Sequence, residues 1–151
     1  MARTLEVGQG FRGKDGRVAF LLRQAHGAWR VAIERQLSPL GITGPQYSAL
    51  NVIAQLPGLS GSELARSSML TQQTTNEILV ALMRRRLIAR RPRDGNRRIL
   101  EVRLTAGGRA VIAKARRIVH RLERRMVSSL TAEGQALFRE WLVTCARNLA
   151  E

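Results

Sequence analysis

The chain is poor in the residues from which disulfides and metal sites are built. It contains one cysteine, Cys145, and two histidines among its 151 residues. A lone cysteine cannot close an internal disulfide, which agrees with a reducing compartment. The two histidines stand far apart in sequence, so no metal-ligand cluster is indicated. We expect neither a metal nor a cofactor, and we place Cys145 in a buried apolar stripe with Trp141, Leu142 and Leu149.

Long apolar runs and catalytic motifs are missing as well. No stretch approaches the roughly 18 residues needed to cross a bilayer, and the first 16 residues have none of the apolar core of a secretory signal. The sequence has no glycine-rich phosphate loop and no recognisable nucleophile turn. We expect a cytoplasmic protein that spans no membrane and is not an enzyme.

Acidic residues are scarce beside basic ones. The chain has 11 Asp and Glu against 26 Lys and Arg, a formal net charge of +15, and nearly all of the positive charge is arginine. The planar guanidinium suits phosphates and guanine edges better than the lysine ammonium does. This charge indicates a polyanionic partner, with nucleic acid as the first choice and an acidic membrane surface as the second.

The remaining composition is that of an ordinary folded domain, with 44% hydrophobic residues. At this length the chain can form one domain, or a compact core with added dimerisation elements. Glycines recur through residues 1–16 without any apolar period, which predicts a flexible arm there. From Val18 to Leu37 apolar residues recur at helical spacing, which predicts the first helix.

Capping signals predict three further helices. Thr43 and Gln46 have the spacing of a capping box, and Ser60 and Glu63 repeat it before a short third helix. Thr71 is the expected N-cap of a longer fourth helix, which follows the third after a tight turn. The apolar side of this fourth helix consists of Ile78, Leu79, Leu82 and Leu87.

The apolar period becomes two after the fourth helix. Leu100, Val102 and Leu104 are predicted to face inward from a half-buried strand. Asp94-Gly95 is a hairpin-turn signal. Residues 88–104 are therefore predicted to form a two-stranded ribbon with an arginine-rich tip.

Two long amphipathic helices are predicted after the ribbon, capped by Thr105 and Thr131. The predicted fold is mainly α with a small β-wing. We expect a winged helix-turn-helix DNA-binding domain over residues 41–104. A helical dimerisation region, made of residues 17–40 and 105–151, is expected to flank it.

Two short helices joined by a tight turn and followed by a basic ribbon have the order of a winged helix-turn-helix. Such a fold places its second helix in the DNA major groove, where Gln and Asn amides can bond adenine edges and a Thr methyl can meet thymine. Arg97 and Arg98 at the ribbon tip are candidates for phosphate or minor-groove contact. The expected contacts with double-stranded DNA, at a pseudo-palindromic operator, are Ser60, Ser62, Thr71, Gln72, Gln73, Thr74, Thr75, Asn76, Arg84, Arg97 and Arg98.

The stretch from about residue 43 to 106 resembles the MarR family of bacterial regulators. Its helix-turn-helix is similar to SGSELARSSMLTQQTTNEILVALMRRRLIARRP here, and its wing to DGNRRILEVRLT. The resemblance implies a homodimer joined through the N-terminal helix and the last two helices, with a ligand pocket beside the DNA-binding lobe. The chain departs from the family pattern at Met69 and Arg86, where glycine is common, and at Asn96, where an aspartate often precedes the arginine pair.

The resemblance also implies an effector site, near which His26, Trp29, Arg30 and Tyr47 would lie. A cation beside hydrogen-bonding aromatics suits an aromatic acid, or an acyl thioester with anionic phosphates. The predicted function is therefore that of a repressor released by a small anionic effector. The alternative that the charge alone would satisfy is a constitutive architectural DNA- or RNA-binding protein without an effector. Binding to a membrane surface ranks third.

Overall fold

Helices make up most of the chain, as the computed structural model shows for residues 5–150. Contacts divide the chain into two units, the first ending at Arg116 and the second beginning at Arg117. Among the described residues no helix is long and apolar enough to cross a membrane. The predicted class, mainly α with a small β-wing, is confirmed. The elements are α1 Val18–Leu37, α2 Gly44–Gln55, β1 Leu59–Ser60, α3 Gly61–Ser67, α4 Gln72–Arg84, β2 Ile88–Arg93, β3 Asn96–Leu104, α5 Ala106–Met126 and α6 Ala132–Asn148.

Side-chain caps start α2, α3 and α4 where the sequence predicts them. The hydroxyls of Thr43 and Ser60 accept hydrogen bonds from the third residue of α2 and α3, and both capping boxes are complete. Thr71 accepts from the Thr74 backbone N–H at 3.1 Å and so caps α4. These bonds satisfy amide groups that a helix start leaves without partners, which fixes where each helix begins.

One side of α4 forms part of the core. Leu79 and Leu82 are fully buried, and Ile78 is nearly so. They share the interior with Leu50 of α2 and Leu64 of α3, which are also fully buried. Burying such a side chain contributes about 1.5–3 kcal/mol, so the rotation of α4 about its axis is set by this apolar face.

Both α3 and α4 end in a left-handed residue that is not glycine. Met69 has φ 53° and Arg86 has φ 56°. At each end the two reverse hydrogen bonds of a Schellman motif are made, for example Leu70 N–H to Ala65 C=O at 3.0 Å and Leu87 N–H to Leu82 C=O at 3.0 Å. The turns thus keep the geometry that glycine would favour, although a side chain is strained in this region.

The ribbon consists of two antiparallel strands, as predicted. Asp94 and Gly95 form its two-residue turn, between Arg93 and Asn96, and Gly95 has φ 80°. The sequence did not predict the third strand, β1, which pairs with β3 through Leu59 and Val102. A strand of two residues is too short to show a period of two.

The prediction that Leu100 faces inward from β3 is wrong. Val102 is fully buried, but Leu100 is 46% exposed and Glu101 is only 8% exposed. Glu101 is buried because Arg103 donates to its carboxylate at 2.8 and 3.0 Å, and Arg93 lies 3.5 Å away. The nearby arginines lower the pKa of Glu101, Arg103 most strongly, so a charged residue occupies a position that hydropathy assigns to the surface.

The glycine-rich stretch at the start of the chain is folded onto α1, where the sequence predicts a flexible arm. The Arg12 guanidinium donates to the Leu5 carbonyl at 2.6 Å and to Gln24 Oε1 at 2.8 Å. The ring of Phe11 packs edge-on against Phe20, with centroids 5.2 Å apart. Phe11 and Arg12 thus contact α1; the part of the predicted arm in residues 1–4 lies outside the described residues.

In the second unit, α6 has no buried residue. Cys145 is half-buried, while Trp141 is 43% and Leu149 77% exposed. The prediction of a buried stripe is therefore wrong for the single chain. Within residues 5–150, the apolar side chains of α6 thus remain partly exposed.

A cluster of charged side chains holds the wing, which consists of β2 and β3, against α3. The Arg93 guanidinium donates to Glu63 Oε2 at 2.7 Å and to the Gly58 carbonyl at 2.9 Å. Glu63 also accepts the Ser60 backbone N–H at 2.7 Å. Hydrogen bonds from Arg93 and Ser60 lower the pKa of Glu63 from 4.5 to about 2, because each favours the ionised carboxylate.

Protonation of Glu63 is expected to loosen this attachment between about pH 4.5 and pH 2. A folded-state pKa below the ordinary value means that the stabilisation is complete above pH 4.5 and is lost as the pH falls through 2. In Glu63→Gln the amide can keep the bond to Ser60 but loses the charge that attracts Arg93. Denaturant unfolding should show the wild type losing its advantage over this variant across that range. A difference that stays constant with pH would contradict the assignment.

Candidate nucleic-acid interface

The first turn of α4 presents amides to the surface. The side chains of Gln72, Gln73 and Asn76 are exposed, as predicted for base contacts. Gln73 Nε2 donates to Glu77 Oε1 at 3.3 Å, one helical turn further on. Gln73 lies on the side of the helix opposite Leu82, so the packing of the core turns it outward, whereas Gln72 and Asn76 flank the buried face near the helix start and remain exposed there.

Thr75 is a correction to the predicted contacts. Its side chain is buried, with 1% exposure, because it shares the apolar face of α4 with Leu79 and Leu82, four and seven residues later. The hydroxyls of Thr71 and Thr74 bond each other at 2.9 Å. The Thr71 hydroxyl thus caps the start of α4, although its side chain remains exposed.

A surface notch brings the helix-turn-helix and the wing together. Its volume is about 520 Å³, and residues of α3, α4 and both wing strands line it. Of the predicted contacts it contains Ser60, Ser62, Gln72, Asn76 and Arg98. Hydroxyl, amide and guanidinium groups at one opening can bind phosphates and base edges together.

Two arginines of this notch were not among the predicted contacts. Arg66 lies in the last turn of α3 and Arg90 lies on β2. Alternation along β2 places Arg90 and Pro92 on the same face, which is a signal that the sequence offers. No pattern singled out Arg66, whose place in the notch follows from the turn after α3.

Arg84 and Arg97 lie outside the notch but remain exposed. Arg84 ends α4, and Arg97 stands next to the wing turn. The Asn96 side chain accepts the Arg98 backbone N–H at 3.2 Å and braces the tip. The wing therefore carries two neighbouring guanidinium groups at the braced end of β3.

A second cavity, of about 520 Å³, lies between α1, the start of α2 and the turn after α3. It contains three of the four predicted effector residues, namely His26, Trp29 and Arg30. Tyr47 does not line it, because Pro45 and Ser48 present a different side of α2 to the cavity. The remaining lining residues are Ile33, Glu34, Gly44, Ser68 and Leu70.

The cavity combines one cation with apolar walls. Arg30 and Trp29 lie one residue apart on α1, and Ile33 and Leu70 add aliphatic surface. Glu34 Oε1 accepts the Gly44 backbone N–H at 2.8 Å, so this carboxylate is engaged with the start of α2. Such a lining suits a small anion with an apolar body. No group of three side chains in residues 5–150 could hold a metal ion.

Arg85 links the end of α4 to the connection between α1 and α2. Its guanidinium donates to the Leu40 carbonyl at 3.0 Å and also to the Gly41 carbonyl. Gly41 has φ 65°, and a Cβ there would come within 2.9 Å of the guanidinium. The end of the helix that carries the amides is thus joined to the connection between the two helices that line the cavity.

Several characterised proteins are similar in sequence. The MarR family model matches residues 40–99. The HTH-type transcriptional repressor Rv2887 of Mycobacterium tuberculosis is 35% identical over 128 residues, which are 85% of this chain and 92% of the relative. The transcriptional regulator HosA of Escherichia coli is 33% identical over 97 residues, covering 64% of this chain and 72% of HosA.

Solved structures agree in fold. Two structures of the M. tuberculosis MarR family protein Rv2887, one with DNA and one with salicylic acid, have TM-scores of 0.72 and 0.69 at 34% identity, covering 87% of this chain and 98% of theirs. Staphylococcus aureus MepR in complex with DNA has a TM-score of 0.82 at 22% identity, over 90% of this chain and 99% of that one. With a relative of this identity matched over nearly its whole length, the chain belongs to the MarR family of transcriptional regulators.

Proposed function

We propose that the protein is a sequence-specific DNA-binding repressor that acts as a homodimer and releases its operator when a small aromatic carboxylate binds. The observation that carries the proposal is the row of exposed amides on α4 beside the arginines of the wing. The structures of Rv2887 with DNA and with salicylic acid support it. The regulator would act in the cytoplasm, where its DNA lies, and without catalysis.

The two parts of the interface would read DNA differently. An α-helix fits the major groove, where the amides of Gln72, Gln73 and Asn76 can bond base edges in bidentate fashion. The wing arginines would reach phosphates or the adjoining minor groove. Base contacts set the sequence preference, whereas phosphate contacts mainly set affinity and register.

Asn76→Ala and Gln73→Ala are expected to relax base preference, each by about 1–3 kcal/mol of discrimination. Arg97→Ala is expected to weaken binding more evenly across sequences and to reduce its salt dependence. The measurement is the affinity of each variant for a panel of operator sequences at two salt concentrations. Gln55→Ala, which removes an exposed amide at the end of α2 outside the notch, is the matched control.

An Asn76→Ala variant that kept full operator preference would move the recognition surface elsewhere on α4. A wild type that bound all sequences almost equally, with no effect of any effector, would favour a constitutive architectural protein instead.

Exposed apolar side chains on α1 and α6 support the dimer. On α1, Val18 is 62% and Val31 65% exposed, and on α6 Leu137 is 66% and Val143 50% exposed. Large exposed apolar patches are uncommon on monomeric proteins. A second copy of the chain would cover it, as the predicted dimerisation region over residues 17–40 and 105–151 requires.

Sedimentation at micromolar concentration is expected to show a dimer. The two recognition helices should then meet half-sites about one DNA turn apart, roughly 10 base pairs. Operators whose half-sites are moved apart by half a turn should lose affinity, because the two lobes can no longer both engage. A monomer that still bound a palindromic site tightly would contradict this assembly.

An effector bound in the cavity beside α1 would have to favour a dimer whose two DNA-binding lobes are spaced so that they cannot reach both half-sites. A ligand that bound both spacings equally would shift nothing. Coupling of about 1–3 kcal/mol gives roughly 5- to 150-fold release, and DNA must weaken effector binding by the same factor. Arg30 supplies the cation that an aromatic carboxylate needs.

Arg30→Ala is expected to abolish release by salicylate while operator binding without salicylate changes little. The reason is that Arg30 lines the cavity and lies outside the DNA-facing notch. The measurement is operator affinity across a salicylate titration, with the wild type alongside. Arg35→Ala removes an exposed charge from α1 outside this cavity and should keep the response. Full release in Arg30→Ala would place the anion's partner elsewhere.

A further inference from the structure

Ser68 has a hydroxyl that is shielded from solvent and finds no hydrogen-bond partner among the described residues. Such groups are rare in native proteins, because the hydration lost on burial is not replaced. Ser68 also lines the cavity that holds Arg30 and Trp29. A polar atom without a partner at the wall of a binding cavity indicates that its partner comes with the ligand.

Thr75 has the other such hydroxyl in the part of the chain that the structure describes. It lies on the buried face of α4 and does not line the cavity. In a helix, a threonine hydroxyl can turn toward the carbonyl four residues earlier, here that of Thr71. Of the two hydroxyls, only that of Ser68 belongs to a residue that lines the cavity, which makes it the one suited to a ligand.

The place of Ser68 in the chain ties the cavity to the recognition helix. Ser68 is the C-cap of α3, and it is followed by the left-handed Met69 and by Leu70, which also lines the cavity. Thr71, the N-cap of α4, comes next. A ligand bonded to Ser68 would touch the turn that sets the start of the recognition helix.

The other polar groups of the cavity differ from Ser68 in what they can offer a ligand. Arg30 offers a cation from α1, whereas Glu34 Oε1 is bonded to the Gly44 backbone N–H. A ligand whose anionic group meets Arg30 would place a second, neutral polar group toward the remaining wall. The hydroxyl of Ser68 can donate to that group or accept from it.

We propose that Ser68 is a specificity-determining residue of the effector site, and that its hydroxyl bonds a ring substituent of an aromatic carboxylate whose anion meets Arg30. This inference rests on the proposed effector site. The ligand then bridges α1 and the turn before α4. An aromatic carboxylate whose ring has no hydrogen-bonding substituent contacts Arg30 but makes no bond to Ser68, so it binds more weakly.

The test compares benzoate with its three monohydroxy derivatives. Binding of each to the free full-length protein is measured by calorimetry, so that effects on DNA affinity do not enter. One neutral hydrogen bond corresponds to about 3- to 10-fold in affinity. We expect at least one hydroxybenzoate to bind the wild type tighter than benzoate by about this factor. In Ser68→Ala the preference should fall to near unity, with benzoate affinity kept.

Ser67→Ala is the matched control, because Ser67 is an exposed hydroxyl beside Ser68 that does not line the cavity. It should keep the preference for the hydroxybenzoate. Ser68→Ala should also keep the melting temperature, since the lost hydroxyl has no partner in the protein to leave unsatisfied.

Two results would overturn the role of Ser68 alone. One is a preference for the hydroxybenzoate that survives in Ser68→Ala, and the other is a wild type that binds benzoate and all three derivatives equally. A wild type that binds none of the four compounds would instead contradict the proposed aromatic carboxylate effector, and the role of Ser68 with it.

Discussion

The burial of one side of α4 is the constraint on which the DNA-facing surface depends. Leu79 and Leu82 are fully buried, and they fix the helix about its axis. That orientation turns Gln73 directly toward solvent and places Gln72 and Asn76 at the margin of the buried face, where they remain exposed. A rotation of one residue, about 100°, would bury an amide and expose a leucine. Packing of the apolar core therefore determines which polar side chains of α4 face outward. Contacts among the amides themselves are not needed to orient them.

The two turns at the ends of α3 and α4 keep their geometry although the residues at their left-handed positions are not glycine. Met69 and Arg86 adopt the left-handed conformation that glycine would take more easily, at an expected cost of about 1–3 kcal/mol each. Schellman hydrogen bonds and the burial of Leu87 hold the second turn in place. Tertiary packing decides this geometry, and the departure from the family pattern alters stability more than shape.

Local signals in the sequence predicted the helix starts, the hairpin and the exposed amides, because capping and turn preferences act over a few residues. Contacts distant in sequence account for what was missed. Strand β1 exists only because β3 pairs with it, and Glu101 is buried only because Arg93 and Arg103 surround it. Tyr47 is absent from the lining of the cavity because Pro45 and Ser48 occupy the side of α2 that borders it, and hydropathy does not show which side that is.

The few acids of the DNA-binding region decide which arginines remain available to DNA. Glu63 and Glu101 form ion pairs with arginines 91, 93 and 103; the pair of Glu63 with Arg93 holds the wing against α3, and the pairs of Glu101 lie within the wing. Arginines 90, 97 and 98 form no ion pair within residues 5–150. An unpaired guanidinium keeps its full charge for a phosphate, whereas a paired one is already neutralised. The same two carboxylates thus position the wing and leave its outer arginines free for the nucleic acid.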